Sequence, residues 1–271
     1  MSSNLKIALC QMTSVDDVEA NLQQIEKLCA PIEKADVIFF PENCLFMRLK
    51  EGDLIRGLDL EDPAFLRLGE LAKNKSCYLH LGSVPLRENG KLSNASVVIS
   101  PRGEARCSYR KIHLFDITLE GQNPVRESDA FIHGSEPLVL DMVSWRWGQT
   151  ICYDLRFSEL FSIYAHQSVD AILVPAAFLI KTGQAHWEIL LRARAIESQC
   201  YVIATAQAGA HRNGGEAERK TYGHSLVVNP WGEIIAEGSA DHPEILLAEL
   251  DRDLIEKVRR QIPMSGHRRL K

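Results

Sequence analysis

The stretch Ser96-Val97-Val98-Ile99-Ser100-Pro101-Arg102-Gly103-Glu104 decides the fold, because it returns later in the chain as Ser225-Leu226-Val227-Val228-Asn229-Pro230-Trp231-Gly232-Glu233. In both copies an apolar run leads into a turn. Proline holds φ at about −65° at the first central position of that turn, and the nearby glycine can adopt the φ values that the turn needs. Each copy therefore predicts a β-hairpin, and the repetition suggests that the chain has two related halves.

Two shorter matches extend this repeat towards the N-terminal side of each hairpin. Cys77-Tyr78-Leu79 matches Cys200-Tyr201-Val202, and Asp36-Val37-Ile38 matches Asp170-Ala171-Ile172, each of the latter pair followed by a proline. One pair alone is explained by chance, whereas three pairs in the same order indicate a duplicated architecture. Two βα-type halves bury their sheets face to face with helices outside. The expected fold is an α/β four-layer α-β-β-α sandwich with two pseudo-symmetric halves.

The hydrophobic pattern alternates between strands and helices along the chain. Strand-like runs cover Leu5–Cys10, Val37–Phe40, Cys77–Val84, Ser96–Ile99, Thr150–Tyr153, Ala171–Val174, Tyr201–Ala206 and Ser225–Val228. Helices are expected at Val18–Lys34, Pro63–Lys75, Ser158–His166, His186–Gln199 and Arg252–Arg260, where apolar residues recur at a spacing of three and four. This interleaving is typical of the α/β class.

The composition favours a single domain over residues 1–271. The apolar fraction of 45% is ample for a large core, and no Gly/Ser tract, proline run or charge block stands where a linker would lie. We expect the C-terminal segment, about residues 252–271, to be an extension that packs at a subunit interface.

Charge and apolar runs narrow the range of partners. The formal charge of −5, from 31 basic and 36 acidic residues, provides no electrostatic case for binding nucleic acid or an anionic membrane. The longest uncharged apolar run, Ala171–Ile180, is about half of the ~20 residues that span a bilayer. Met1–Met12 resembles a first strand rather than an export sequence. The expected partner is a small molecule, and the expected location is the cytoplasm.

The cysteines indicate a reducing compartment. The chain has seven, an odd number, with no C-x-x-C pair and no spacing typical of zinc ligands, so neither a disulfide framework nor a metal site is expected. Cys10, Cys77 and Cys200 lie in apolar strand patterns and are expected to pack as small apolar residues.

One cysteine has a different setting. In Thr150-Ile151-Cys152-Tyr153-Asp154-Leu155-Arg156-Phe157 the thiol lies where an apolar strand is expected to turn into a helix, whose N-terminus favours a thiolate. Two other strand ends carry ionisable residues: Glu42 follows Val37–Pro41, and Lys111 follows Ala105–Arg110. A carboxylate, an ammonium and a thiol presented in this way can form a covalent hydrolase site without histidine.

The chemistry of such a site assigns one role to each group. Cys152 attacks the carbon of an amide or nitrile, and Lys111 raises its thiolate fraction and stabilises the oxyanion together with the backbone N–H of Tyr153. Glu42 accepts the thiol proton, passes it to the departing ammonia and later activates water. Burial raises the pKa of such a glutamate and a neighbouring lysine lowers it, and the sequence leaves this balance open.

These residues resemble the catalytic blocks of the nitrilase superfamily of carbon-nitrogen hydrolases. The matching blocks are Phe40-Pro41-Glu42, Tyr109-Arg110-Lys111-Ile112-His113-Leu114 and Ile151–Phe157. The resemblance implies that Glu42 is the general base, Lys111 the stabilising cation and Cys152 the nucleophile. It also implies that Glu127, in Arg126-Glu127-Ser128, positions the substrate and the lysine.

The same resemblance implies the four-layer sandwich, no cofactor, and a homodimer or higher homo-oligomer formed through the helices at Ser158–His166 and Trp187–Gln199.

Within the superfamily the chain is most similar to the branch that holds deaminated glutathione amidase and omega-amidase. Ala185–Glu188, Arg192–Glu197 and Thr221–Ser225 resemble the former, and Lys111–Asp116 and Asn229–Glu233 resemble both. The chain departs from this pattern at Gln184 and in the charged loop Arg212–Arg219.

The function implied by this branch is hydrolysis of a terminal carboxamide of a small keto-acid amide through a cysteine thioester, with release of ammonia. Deaminated glutathione is the first candidate substrate, and 2-oxoglutaramate or 2-oxosuccinamate is the alternative. Both kinds of substrate are anionic, so a cation besides Lys111 is expected in the pocket. The candidate cations are Arg156, Lys181 and Arg212, and the other candidate pocket residues are Phe178, His186 and Trp187.

Three other interpretations remain open at this point. A Cys-His hydrolase would use His113 or His186 as its base, although Cys152 lacks the flanking glycines of a nucleophile elbow. A non-catalytic binding protein could retain the same sandwich. Metal catalysis has little support, since Gln184–Glu188 lacks the H-E-x-x-H spacing. The sequence also has no glycine loop that would bind the phosphates of a nucleotide.

Overall fold

The computed structural model describes residues 4–118, 120, 124–214 and 219–269. Its strands are β1 Asn4–Gln11, β2 Val37–Phe39, β3 Tyr78–Glu88, β4 Lys91–Ile99, β5 Ala105–Arg110, β6 Asp116–Ile117, β7 Val125–Arg126, β8 Val139–Met142, β9 Trp145–Gln149, β10 Ala171–Leu173, β11 Tyr201–Ala204, β12 Ala208–His211, β13 Arg219–Tyr222, β14 Leu226–Val228, β15 Ile234–Glu237 and β16 Glu244–Asp251. Its helices are α1 Val18–Cys29, α2 Pro63–Lys75, α3 Ser158–His166, α4 Ile180–Ser198, α5 Arg252–Gln261 and α6 Met264–His267. Short 3₁₀ turns cover Glu127–Asp129 and Cys152–Arg156.

The two large sheets repeat one topology. Within the described residues the first sheet has the order β16-β1-β2-β3-β4-β5 and the second the order β15-β14-β11-β10-β9-β8. In each half three parallel strands, β1-β2-β3 or β9-β10-β11, are followed by an antiparallel hairpin, β4-β5 or β14-β15. The hairpins are the two copies of the motif with which the sequence analysis began. The predicted pseudo-symmetric halves are confirmed.

Equivalent side chains in the two halves make equivalent contacts. The side chain of Asp36 accepts a hydrogen bond from the backbone N–H of Lys6 at 2.8 Å, and Asp170 accepts one from the N–H of Arg146 at 2.9 Å. Each aspartate thereby ties the second parallel strand of its half to the first. The aspartate in the repeated Asp-x-Ile pattern therefore has a structural function in both halves.

Three apolar clusters show that the layers follow the order α-β-β-α. One cluster, which includes Ile25, Leu68 and Leu79, joins α1 and α2 to the first sheet, and a second joins α3 and α4 to the second sheet. The third lies between the sheets, where the rings of Phe39 and Trp147 are 5.3 Å apart. Burying apolar surface on both faces of each sheet is what stabilises this arrangement.

Two helices differ from the sequence-based bounds by more than one residue. α1 ends at Cys29 rather than Lys34, because Pro31 has no N–H to continue the helical hydrogen bonds. α4 begins at Ile180 rather than His186. Gly183, which weakens a helix prediction, is used here for packing, since a Cβ at that position would collide with the ring of Tyr222.

The C-terminal segment packs on its own chain. Ile255 and Val258 of α5 are buried, and the Arg259 guanidinium donates to the carbonyl oxygen of Val169 at 2.7 Å. α5 therefore contributes to the core of this chain, while residues 270–271 lie outside the described part. A contact of this segment with another subunit, and the single-domain organisation, remain predictions.

Among the described helices, none combines the length and apolarity needed to cross a membrane.

A buried histidine makes the fold sensitive to acid. His80 is 1% exposed, and its Nε2 lies 3.0 Å from Oε1 of Gln149 on the second sheet. Burial lowers the pKa of His80 from 6.5 to about 4. In the unfolded chain His80 is protonated below about pH 6.5, whereas in the folded chain it stays neutral down to about pH 4. The free energy of unfolding therefore decreases as the pH falls through this window.

We expect His80→Gln to reduce the loss of unfolding free energy between pH 7 and pH 4 by about 3 kcal/mol, the equivalent of the shift in the pKa of His80. Urea denaturation at a series of pH values measures this. The exposed residue His267 supplies the matched control, His267→Gln. An unchanged pH dependence in His80→Gln would contradict the assignment.

Candidate active site

Three strand ends from the two sheets meet at one cavity. Glu42 follows β2, Lys111 follows β5 and Cys152 follows β9, and all three line a cavity of about 770 Å³, including its open mouth. Glu127, from the short turn after β7, lines the same cavity. Residues far apart in sequence thus form one group that is open to solvent.

The centre of the group is a buried ionic cluster. The Lys111 ammonium is 2% exposed and donates to Glu42 Oε1 and to Glu127 Oε2, both at 2.9 Å. The amide of Asn94 joins the two carboxylates, donating to Glu42 at 3.0 Å and to Glu127 at 2.8 Å. Sequence reasoning missed Asn94, because nothing in the pattern of β4 distinguishes it from an ordinary strand residue.

The carboxylates keep the lysine charged. Burial by itself opposes the charge, but the attraction of Glu127 and Glu42 outweighs it and raises the pKa of Lys111 well above its usual value. Lys111 is therefore an ammonium across the physiological pH range. A fixed positive charge at the bottom of a cavity can stabilise an oxyanion that develops beside it.

Glu42 is ionised for the complementary reason. Burial opposes ionisation, but the Lys111 charge and the hydrogen bonds from Lys111, Cys152 and Asn94 lower the pKa of Glu42 below its usual value. Its second oxygen accepts a hydrogen bond from the N–H of Ala177 at 2.9 Å. The balance that the sequence left open is thus resolved in favour of the lysine.

The proton of the thiol stays on sulfur in the resting site. Burial and the negative charge of Glu42 raise the pKa of Cys152 well above its usual value, and Lys111 offsets this only in part. Lys111 thus favours the thiolate, as expected, but burial and the charge of Glu42 outweigh its effect. The site instead places a neutral thiol within reach of a carboxylate that can accept its proton when sulfur attacks.

The chain turns sharply at the cysteine. β9 ends at Gln149, so the predicted strand Thr150–Tyr153 is wrong, because Cys152 has φ = 49° and this left-handed backbone cannot continue a strand. The Cys152 N–H is held by the carbonyl oxygen of Pro175 at 2.9 Å. Such a conformation costs roughly 1–2 kcal/mol for a residue with a side chain. A nucleophile elbow is therefore present without the glycines that usually mark one in sequence.

Asp154 fastens this turn to the strand end that carries Lys111. Its side chain, fully buried, accepts hydrogen bonds from the N–H of Ile151 at 2.9 Å, the Tyr109 hydroxyl at 2.8 Å and the N–H of His113 at 2.9 Å. It also lies 2.7 Å from the ring Nδ1 of His113. One side chain thus sets the position of Cys152 relative to Lys111.

The backbone N–H of Tyr153 stays available. The N–H of Cys152 donates to the carbonyl oxygen of Pro175 and that of Asp154 to the carbonyl oxygen of Ile151, while the N–H of Tyr153 has no acceptor among the described residues. An unpaired N–H in the first turn of a helix can donate to a substrate oxygen. Tyr153 therefore fits the predicted donor position.

The histidines do not fit a Cys-His arrangement. His113 stacks on the ring of Phe157 at 3.6 Å and bonds to Asp154, whereas His186 is exposed and lies 3.1 Å from a guanidinium nitrogen of Arg156. The described residues that line the cavity with Cys152 include no histidine. The role of His113 is to brace the turn.

The candidate pocket residues divide into two groups. Arg156 and Phe178 line the cavity. His186 and Trp187 do not: Trp187 is buried behind Phe178, with the two rings 4.7 Å apart, and its Nε1 donates to the carbonyl oxygen of His224 at 2.7 Å. Neither of these two predicted pocket residues is thus among the described residues that line the cavity.

Besides Lys111, only one of the three cations expected in the cavity, Arg156, is among the described residues that line it. Lys181 and Arg212 do not line it, whereas Arg48 and Arg219 do. Sequence reasoning missed both, because no local pattern links either arginine to Cys152. Part of the loop between Arg212 and Arg219, residues 215–218, lies outside the described residues.

Among the described residues, no group of three or more His, Cys, Asp or Glu side chains is placed so that it could hold a metal ion. The expected independence from cofactors remains a prediction.

Comparisons with known proteins agree with this geometry. A model of the carbon-nitrogen hydrolase family matches residues 6–260. The chain is 36% identical to a deaminated glutathione amidase from Synechocystis sp. over 96% of its length and 97% of that protein. It is 40% identical, over 97% of its length, to the nitrilase and fragile histidine triad fusion protein NitFhit from Drosophila melanogaster.

The fusion proteins are longer than this chain, which spans 57% of the Drosophila protein. The crystal structure of C. elegans NitFhit superimposes with a TM-score of 0.86 at 34% identity, covering 99% of this chain and 66% of that one. The predicted nitrilase-like sandwich is confirmed by this likeness.

We expect Asp154→Asn to lower the unfolding free energy by about 3 kcal/mol. The amide NH₂ of asparagine is a donor, and it would replace a carboxylate oxygen that accepts a hydrogen bond from a buried donor. Tyr109→Phe, which removes a single hydrogen bond to Asp154, is the matched control and should cost about 1 kcal/mol. Denaturant titration measures both. Equal losses in the two variants would show that Asp154 does not fasten the turn.

Proposed function

The chain belongs to the carbon-nitrogen hydrolase family, and we propose that it is an amidase that hydrolyses the amide of a small 2-oxo acid through a thioester on Cys152. The observation that carries this proposal is the buried cluster in which Lys111 is held by Glu42 and Glu127 at 2.9 Å beside the Cys152 thiol. Such a cluster pairs a proton acceptor with a nucleophile and a fixed cation.

In the first half-reaction the sulfur of Cys152 attacks the amide carbon while Glu42 takes the thiol proton. The carbonyl oxygen becomes an oxyanion that receives hydrogen bonds from the Lys111 ammonium and the Tyr153 N–H. Glu42 then gives its proton to the leaving nitrogen, the C–N bond breaks, and the acyl group remains on sulfur as a thioester.

In the second half-reaction Glu42 removes a proton from water, and the water oxygen attacks the thioester carbon. The same two donors stabilise the second oxyanion. The C–S bond breaks, the acid leaves, and the proton held by Glu42 returns to sulfur. Glu127 takes no proton in this scheme, because its function is to hold the Lys111 ammonium in place.

The raised pKa of Cys152 suits this sequence of steps. A thiol whose pKa is raised by burial and by the charge of Glu42 is protected from ionisation until a substrate carbonyl is present. Proton transfer to Glu42 then accompanies C–S bond formation. The chemistry needs no histidine.

Deaminated glutathione is the substrate that we favour, because relatives of that name align over nearly the whole chain. This compound is the 2-oxo acid analogue of glutathione, so its hydrolysis releases 2-oxoglutarate and cysteinylglycine. The ammonia expected from the sequence is released only from a primary amide such as 2-oxoglutaramate, the substrate of the alternative omega-amidase activity.

Arg156 is our candidate for the carboxylate of the 2-oxo acid. It lines the cavity, and its guanidinium lies over the rings of Tyr153 and Phe178 at 5.8 and 5.3 Å from their centres. Rings on its flanks limit where the guanidinium can move without neutralising its charge. It can therefore bind the anionic end of the acyl group.

A homodimer through α3 and α4 is part of the proposal. Ile163 of α3 and Ile189 and Ile196 of α4 are 41%, 70% and 49% exposed, an apolar surface that a second copy would cover. Light scattering that shows a monomer at micromolar concentration would contradict the dimer.

The seven cysteines, none of them in a disulfide, favour a reducing compartment such as the cytoplasm.

The substrate is tested by comparing the kcat/KM of deaminated glutathione, 2-oxoglutaramate and 2-oxosuccinamate, following 2-oxoglutarate or 2-oxosuccinate as product. We expect turnover of the first to exceed that of the other two, and Cys152→Ala to abolish it. Product formation at the same rate by Cys152→Ala would assign the activity elsewhere. Binding without turnover in the unaltered protein would favour the non-catalytic alternative.

The pH profile is a second test. Glu42 must be ionised and its pKa is lowered, while Lys111 must be protonated and its pKa is raised. We therefore expect kcat/KM to stay level from about pH 5 to pH 9 and to fall only beyond these limits. A bell with a limb between pH 6 and 8 would indicate a histidine base. Circular dichroism at each pH separates loss of activity from acid unfolding.

A further inference from the structure

We infer that Arg219, oriented by the backbone of Arg48, forms a second anion-binding subsite in the cavity, for a carboxylate on the leaving-amine half of the substrate. The inference rests on the proposed function, because it assigns one part of the pocket to one part of the amide. It defines the preferred substrates as amides that carry a carboxylate at each end.

The first observation is that two arginines of the cavity have no carboxylate partner among the described residues. Arg156 contacts a nitrogen of His186 at 3.1 Å, and Arg219 donates from Nη1 to the carbonyl oxygen of Arg48 at 3.3 Å. Arg110, by contrast, is paired with Glu88 at 2.7 Å. Neither of the two cavity guanidinia is thus paired with a carboxylate of the described residues, and their charges remain for a ligand.

The second observation is how charge is distributed along the cavity. At its inner end one ammonium, Lys111, faces two carboxylates, so that end repels an anionic group. At the rim Arg48 and Glu51 form an ion pair and compensate each other. Two positive charges remain on the outer walls, at Arg156 and Arg219. This number matches a substrate with two carboxylates and a neutral scissile amide between them.

The direction of the reaction assigns each arginine to one half of the substrate. Arg156 lies on the same turn as Cys152, so it serves the acyl half that becomes bonded to sulfur. The leaving nitrogen receives its proton from Glu42 and therefore lies on the Glu42 side. Arg48 follows Glu42 on the loop after β2 and lines the cavity, and Arg219 is bonded to that loop.

The lengths of the two substrate halves agree with this assignment. A leaving dipeptide places its carboxylate about 7 Å from the scissile bond, at roughly 3.3–3.6 Å per extended residue. The ammonia that leaves a primary amide has no such group and cannot reach Arg219. A guanidinium has five N–H donors in a planar fork, and Arg219 uses one on Arg48, so others remain for a carboxylate.

The test compares three substrates: deaminated glutathione, its analogue with the glycine carboxylate converted to an amide, and 2-oxoglutaramate. We expect Arg219→Met, which keeps the apolar stem, to lower kcat/KM for deaminated glutathione about ten- to a hundredfold, mainly through KM. This loss should exceed the loss on either other substrate by at least tenfold. Arg219→Lys should recover part of it.

Lys181→Met is the matched control, because it removes an exposed positive charge on α4 outside the cavity and should alter none of the three rates selectively. Equal losses on all three substrates in Arg219→Met would overturn the subsite. So would wild-type protein that hydrolyses deaminated glutathione and its glycine-amide analogue equally well.

Calorimetric titration of Cys152→Ala separates the subsite from the reaction. We expect this variant to bind deaminated glutathione about tenfold more tightly than the amide analogue, and the preference to disappear when Arg219→Met is added. If wild-type protein hydrolyses neither compound but this preference is present, the proposed reaction fails and the subsite stands. If turnover occurs without the preference, the reaction stands and the subsite fails.

Discussion

The rest of the site depends on the burial of one ammonium, that of Lys111, between two carboxylates. A charge at 2% exposure is tolerated only because Glu42 and Glu127 each accept from it at 2.9 Å. Removing the Lys111 ammonium would leave two buried carboxylates without a counter-charge, at a cost of several kcal/mol. The three segments that carry these groups are therefore held in register by electrostatics as well as by packing, and the same charges determine which proton can move.

The duplicated architecture explains why the groups meet where they do. In each half a proline follows the second parallel strand, Pro41 after β2 and Pro175 after β10. The first of these loops carries the Glu42 carboxylate. The second supplies backbone groups, since Pro175 accepts from the Cys152 N–H and Ala177 donates to Glu42. Equivalent loops from two sheets packed face to face thus complete one site, one with a side chain and the other with its main chain.

Strain and electrostatics act together at Cys152. Cys152 is held at φ = 49° by its bond to Pro175 and by the hydrogen bonds of Asp154, which fix the turn from the other side. The burial that makes this rigidity possible also raises the pKa of the thiol. A rigid neutral thiol beside an ionised glutamate is suited to attack that is coupled to proton transfer, and less suited to a permanently ionised sulfur, which would be open to oxidation.

The sequence by itself determined the layered fold, its duplication and which three residues, Glu42, Lys111 and Cys152, form the candidate site, because hairpin turns, strand runs and short motifs are encoded by neighbouring residues. It predicted Pro63–Lys75 and Ser158–His166 to the residue, and the first of these has strong local boundaries, since Asp62 caps its start and Ser76 ends it in a left-handed conformation. Only the tertiary structure decided where the thiol proton lies, that His113 braces Asp154, and that Asn94, Arg48 and Arg219 belong to the site. These properties depend on burial and on distances between residues far apart in the chain, and no local pattern records either quantity.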